Sequence, residues 1–183
     1  LPGSRKQEVN NSIKMIFKIA NRREDLFLWI AGVDNLPVNL YDSIKGLTNV
    51  KLVIGKTYEL LNICDVAIVT SGTATLEAAL WNIPQVVCYR AHPISYLIAR
   101  CLVKIKFISL VNLIVNKEAV KELIQKDYTI ENILIEVDLL IMNKARRKRQ
   151  LDDYQQLNMI LGRHKTSTIV AEKVIEAATT RPL

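Results

Sequence analysis

Val66-Ala67-Ile68-Val69-Thr70-Ser71-Gly72-Thr73-Ala74-Thr75-Leu76-Glu77 is the stretch on which the fold turns. Val66 to Val69 is a short apolar run, the pattern of a strand buried on both faces. Hydroxyl side chains and a glycine follow. A helix-like segment then runs from Thr73 to Trp81 and stops before Pro84. A buried strand passing through a polar glycine turn into a helix is the opening of a βαβ unit. Val86 to Tyr89 supplies the next strand.

The alternation extends in both directions. Upstream, Arg5 to Arg22 carries Val9, Ile13, Ile16, Phe17 and Ala20 at helical spacing. Leu26 to Ala31, ending at Gly32, and Val50 to Ile54, stopped by Gly55, read as two more strands. Val38 to Ile44 reads as a weak helix, and Thr57 to Ile63 as a short one with Thr57 as its N-cap. Downstream, Ile94 to Lys104 reads as a helix after Pro93. Beyond Phe107 no strand is expected: Asn116 to Gln125, Ile130 to Asn143, Arg146 to Leu161 and Ser167 to Ala178 all read as helices.

Four short strands separated by helices imply an α/β fold, a Rossmann-like parallel sheet with helices on both faces. The expected organisation is one domain over residues 1–183, with a core to 129 and a helical extension over 130–183. The chain opens directly on a loop, Leu1-Pro2-Gly3, so a further strand is expected before it. In such sheets ligands bind at the carboxyl ends of the strands.

The chain has 183 residues, enough for one domain with a full core, and half of them are hydrophobic. Its net charge is +7, and five of those charges lie in the run Lys144 to Arg149. Local basicity of this kind argues against a broad nucleic-acid-binding face. It fits either a solvated helix face or a single anionic contact. Cys64, Cys88 and Cys101 sit in apolar runs with no Cys-x-x-Cys spacing, so neither a disulfide framework nor a metal site is expected. No signal peptide is visible. His92 and His164 are isolated and are assigned no catalytic role.

Two loops carry the chemistry. In Leu1-Pro2-Gly3-Ser4-Arg5, Gly3 permits close backbone approach, Ser4 is a candidate N-cap, and the amides of a helix start favour an anion. Arg5 can grip a phosphate with its forked guanidinium. A plain capped helix with a surface arginine is the alternative. Ser71-Gly72-Thr73-Ala74, closing a strand and opening a helix, has the make-up of a phosphate cradle without the lysine of a P-loop. Glu77 suits either such a site or the helix dipole alone. Both loops would lie at the carboxyl edge of the sheet and converge on one diphosphate. A third cluster holds Asn112, and Glu118, Glu122 and Gln125 share one face if the segment is helical. They would hold a base, a sugar or only solvent.

Leu1 to Arg5, Ser71 to Glu77 and Ser109 to Gln125, in that order, resemble the C-terminal domain of lipid-A-disaccharide synthases. Pro84 to Arg90 and Ser95 to Ala99 are similar too, so the resemblance covers the chain to about Thr129. It implies one half of a two-Rossmann-domain (GT-B) glycosyltransferase that inverts configuration and uses no metal or cofactor. The donor would be UDP-2,3-diacylglucosamine and the acceptor 2,3-diacylglucosamine 1-phosphate. The products would be the lipid A disaccharide and UDP. The work would be done at the inner face of the bacterial cytoplasmic membrane. The enzyme's own N-terminal domain, outside this chain, would supply the acceptor site and the base, so the chain alone would be inactive.

By the same resemblance, Gly3, Ser4 and Arg5 would face the diphosphate, with Ser71, Gly72, Thr73 and Ala74 opposite. Asn112 and Glu118 would sit near the uridine or sugar, and Glu122 and Gln125 near the ribose or the domain interface. The family often has proline where this chain has Val111 and Lys121, which frees the backbone there. A UDP-N-acetylglucosamine 2-epimerase, a lipid II-forming transferase and a non-catalytic nucleotide-binding module are the rival readings. Epimerases usually carry two adjacent acids after a Ser-Gly-Gly loop, whereas here Glu77 stands singly. Ile94 to Val103, apolar and rimmed by Arg100, Lys104 and Lys106, reads either as a core helix or as an amphipathic membrane contact.

Overall fold

The structure is a computed structural model that describes residues 1–70, 72–90, 106–162 and 166–179. Among these the chain runs α1 (Lys6–Arg22), β1 (Leu28–Gly32), a 3-10 segment (Val38–Ile44), β2 (Val50–Ile54), α2 (Thr57–Leu61), β3 (Ala67–Thr70), α3 (Ala74–Leu80) and β4 (Gln85–Tyr89). It continues through α4 (Leu110–Val115), β5 (Lys121–Ile124), a 3-10 turn (Gln125–Asp127), α5 (Ile130–Met142), α6 (Lys144–Leu161) and α7 (Thr166–Thr179). Among the described residues the strand pairings are parallel. Leu28 lies opposite Val50, Ala67 opposite Gln85, and Val86 opposite Lys121.

β4 lies between β3 and β5, and its residues show why the sheet is covered on both faces. Successive side chains of a strand point to opposite faces. Val86 and Cys88 pack with Ile19 of α1, Tyr128, and Ile133 and Val137 of α5. Val87 packs on the other side with Ala79 of α3, Val111 and Val115 of α4, and Tyr154 and Leu157 of α6. Each fully buried aliphatic side chain contributes roughly 1.5–3 kcal/mol. The helices α5 and α6 therefore close the two faces of the sheet. The fold is α/β with helices on both sides of parallel strands, as the sequence reading expects.

The sheet is in two pieces, however: β1–β2 and β3–β4–β5. Between β1 and β3 lies an apolar cavity of about 420 Å³, whose walls include Met15, Leu28, Ile30, Leu61, Ile68 and Val137. Leu1 enters it along the edge of β3. Its amino group donates to the Ile68 carbonyl at 2.9 Å, and its own carbonyl accepts from the Thr70 amide at 3.0 Å. That alternation is the pattern of a parallel ladder.

Several expectations need correction. Residues 121–124 form a strand, not part of a helix over Asn116 to Gln125. Asn116, in the left-handed region at φ 51°, ends α4, and Lys121 to Ile124 then find a partner in β4. A short polar spacing that also suits a helix is overridden by that pairing. The helix α4 itself was not expected. Glu118, Glu122 and Gln125 consequently do not share a helix face. Arg5 rather than Ser4 is the N-cap of α1, and Lys56 rather than Thr57 that of α2. Val38–Ile44 is a 3-10 segment. The segment Ile94 to Lys104 lies outside the described residues.

Candidate functional site

Ser12 joins the two loops. Its hydroxyl donates to the Pro2 carbonyl at 3.1 Å and lies 3.2 Å from the Thr70 hydroxyl, which closes β3. Both side chains are buried, and with Leu1 already on the edge of β3 they seat the Gly3-Ser4-Arg5 loop beside the Gly72 loop. One serine of α1 thus ties the start of the first loop to the end of β3, from which the second loop departs. Ser71 itself lies outside the described residues.

Gly3 has φ +99° and Gly72 φ +144°, conformations that L side chains rarely adopt. Among the described residues, nothing beyond the chain neighbours of Gly72 lies within 4 Å of where its Cβ would be. Thr73, in helical conformation, caps α3, and the buried Thr75 hydroxyl donates to the Gly72 carbonyl at 2.8 Å, locking the turn. Gly72 and Thr73 are exposed, while Ala74 and Glu77 are half-buried. The Arg5 side chain is 82% exposed and pairs with Glu8 at 3.3 Å. The edge of the site thus carries open backbone on one side and a cation on the other, an arrangement suited to a negatively charged group.

The third cluster is organised inward. Asn112 is buried, and its carbonyl oxygen accepts from the amides of Ala119 and Val120 at 2.8 and 2.9 Å. Its amide nitrogen donates to the Val120 carbonyl and to Glu122 Oε1, at 2.8 and 2.9 Å. Glu122 also accepts from the amides of Ile108 and Ser109 and from the Ser109 hydroxyl, at 2.9, 2.9 and 2.8 Å. Asn112 and Glu122 thus pin the Ile108–Ser109 turn and the start of α4 to β5. Glu118 is exposed and paired with Lys121 at 3.1 Å. Gln125, at φ 51°, opens the 3-10 turn, and its carbonyl accepts from Arg90.

Two charged residues in or beside the site went unassigned in the sequence reading. Glu8 sits against the first loop; its signal was the three-residue spacing from Arg5, which marks an acid in the first helical turn. Arg90, just past β4, donates to the carbonyls of Gln125 and Tyr128 and lies 5.1 Å from the Tyr128 ring. Of the basic run, Arg146 pairs with Glu136, Arg147 donates to the Asp65 carbonyl, and Lys148 pairs with Asp152. Among the described residues no group of acids, cysteines or histidines is placed to hold a metal, and no helix is long and apolar enough to cross a membrane.

Residues 1–176 match the family described as lipid-A-disaccharide synthetase. Curated proteins named lipid-A-disaccharide synthase are similar as well. That of Anaeromyxobacter dehalogenans is 33% identical over 182 residues, covering 96% of this chain and 48% of the relative. That of Gloeothece citriformis is 34% identical over 185 residues, with the same coverage of 96% and 48%. That of Nitrosococcus oceani is 31% identical over 175 residues, covering 92% and 45%. The chain spans about half the length of the curated relatives it matches.

Proposed function

The chain belongs to the lipid-A-disaccharide synthetase family, and from that membership we propose that it is the UDP-sugar-binding half of a glycosyltransferase of lipid A biosynthesis. The donor is UDP-2,3-diacylglucosamine and the acceptor 2,3-diacylglucosamine 1-phosphate. The observation that carries this reading is the junction of the two loops at Ser12, which puts Arg5 and the Gly72 turn at one sheet edge. Breaking the bond between sugar and UDP builds negative charge on the leaving diphosphate. A guanidinium and oriented backbone amides stabilise that charge more strongly in the transition state than in the bound donor. The attacking hydroxyl comes from the acceptor, and its base belongs to the N-terminal domain of the longer enzyme. Acylated substrates require work at a membrane surface, here the inner face of the cytoplasmic membrane. The apolar segment Ile94 to Val103, the sequence's candidate for that contact, lies outside the described residues.

Calorimetry with UDP, ADP and NAD tests the reading, since only UDP is expected to bind tightly. Arg5→Ala is expected to weaken UDP by about 1.5–3 kcal/mol, the range for a hydrogen bond to a charged group. That corresponds to roughly 10- to 150-fold in Kd. An unchanged UDP affinity would show that the diphosphate lies elsewhere.

The chain is expected to bind UDP but to form no disaccharide from purified lipid substrates, because half of the cleft is contributed by another domain. Detection of product with the chain alone would overturn that division of labour.

A further inference from the structure

Glu8 occupies the ground that an anion at the start of α1 would need. Its Oε2 accepts from the Ser4 amide at 3.2 Å and the Arg5 amide at 3.3 Å, while its Oε1 faces Arg5 Nη1 at 3.3 Å. The carboxylate is packed into the loop and not waving in solvent: the Glu8 side chain is 17% exposed, against 82% for Arg5. It also lies against Gly3. A Cβ built on Gly3 would meet Glu8 Oε2 at 2.5 Å and Glu8 Cβ at 2.8 Å. Gly3 is therefore required twice, by its positive φ and by the side chain that fills the loop.

We propose that Glu8 is a positioning residue: it stays seated on the loop when the diphosphate binds, bars the phosphate from the amides at the start of α1, and directs it to the outward face of Arg5. The inference rests on the reading of this site as a diphosphate site. A carboxylate already satisfying two loop amides leaves them little attraction for a second anion, since like charges at that range repel. Arg5 keeps further N–H donors, because a guanidinium has five and Glu8 engages its Nη1. Tethering one end of that side chain lowers the entropy lost when the other end grips a phosphate.

The test compares Glu8→Ala and Glu8→Gln for binding of UDP and of uridine, which lacks the diphosphate. Glu8→Ala is expected to weaken UDP about tenfold while leaving uridine unchanged, because only the phosphate contact depends on the tether. Glu8→Gln keeps an oxygen for the Ser4 and Arg5 amides and is expected to stay within about threefold of the original. Tightening of UDP by tenfold or more in either variant would show that Glu8 is a plug the ligand must displace. Equal losses for UDP and uridine, or none, would equally overturn the proposal. Amide exchange at Ser4 and Arg5 without nucleotide is expected to accelerate in Glu8→Ala; unchanged exchange would show that Glu8 does not hold the loop. An unsubstituted chain that binds no UDP would sink the site reading, and the exchange result would still decide the anchor.

Discussion

Asn112→Ala is expected to lower the free energy of unfolding by about 3–5 kcal/mol, the range for breaking a buried hydrogen-bond network. One side-chain amide holds four groups: the amides of Ala119 and Val120, the Val120 carbonyl, and Glu122 Oε1. Ala119 and Val120 are themselves fully buried, so water does not reach the two N–H groups left behind without opening the core. Asn112→Asp is a sharper probe, being nearly the same shape. It keeps an acceptor for the two amides but replaces the NH2 donor with a second oxygen facing the Val120 carbonyl and the Glu122 carboxylate. It is expected to cost at least as much as the alanine. Urea unfolding checks both, and a loss below about 1 kcal/mol for either would mean that the network is not what holds β5 to α4. Because the family resemblance puts this residue near uridine or sugar, UDP affinity in the folded fraction is the informative companion. Unchanged affinity assigns Asn112 to building the wall, not to touching the ligand.

Gln150→Leu is the second large effect, expected at about 2–4 kcal/mol. Gln150 is the bolt that fastens α6 to the sheet. Its Oε1 accepts from the Gln85 amide at 2.7 Å, and its Nε2 donates to the Gln85 and Ala119 carbonyls at 3.0 and 3.4 Å. The Gln85 side chain passes the network on, donating to the Thr75 carbonyl at 2.9 Å and the Tyr154 hydroxyl at 3.1 Å. Tyr154 donates in turn to the Ile83 carbonyl at 3.2 Å, and burial pushes its phenol well above the usual range, so it remains a neutral donor. Leucine fills nearly the same volume, so little of the loss comes from a cavity. It comes from the polar backbone of Gln85, left buried without its partner. Domains of this size lose about 2–4 °C in Tm per kcal/mol, which places the expected drop at about 4–16 °C. A drop under about 2 °C would show that α6 is held by Tyr154 and Leu157 packing alone.

Both networks bear on the site through position. Thr75, whose carbonyl accepts from Gln85, also locks the Gly72 turn through its hydroxyl. The Gln150 change is therefore expected to loosen the diphosphate loop as well as α6. Arg5 and Glu8 lie outside both networks, so their effects on UDP separate from effects on folding.

What the sequence by itself determined were the features written in local pattern. Val66 to Val69 and Val86 to Tyr89 are apolar on both faces, and side chains alternating every residue can be buried on both sides only inside a covered sheet. Arg5 to Arg22 shows its helical stripe because α1 packs one side, through Val9 and Ile13, against Ile30, Tyr41 and Ile44. The glycines at 3 and 72 marked the two loops, since positive φ is a backbone demand that glycine meets without strain. Tertiary structure alone decided the rest. Lys121 to Ile124 carries no strand pattern of its own and becomes β5 because β4 offers a partner. Asn112, Glu122, Gln85 and Gln150 are polar residues of kinds that mostly face water. Asn112, Gln85 and Gln150 are buried, and Glu122 half-buried, because each meets backbone groups outside its own helix or strand. The seat of Glu8 on Gly3 belongs to the same class: the spacing of three marked an acid near a helix start, and only the folded loop determined that it occupies the amides an anion would seek.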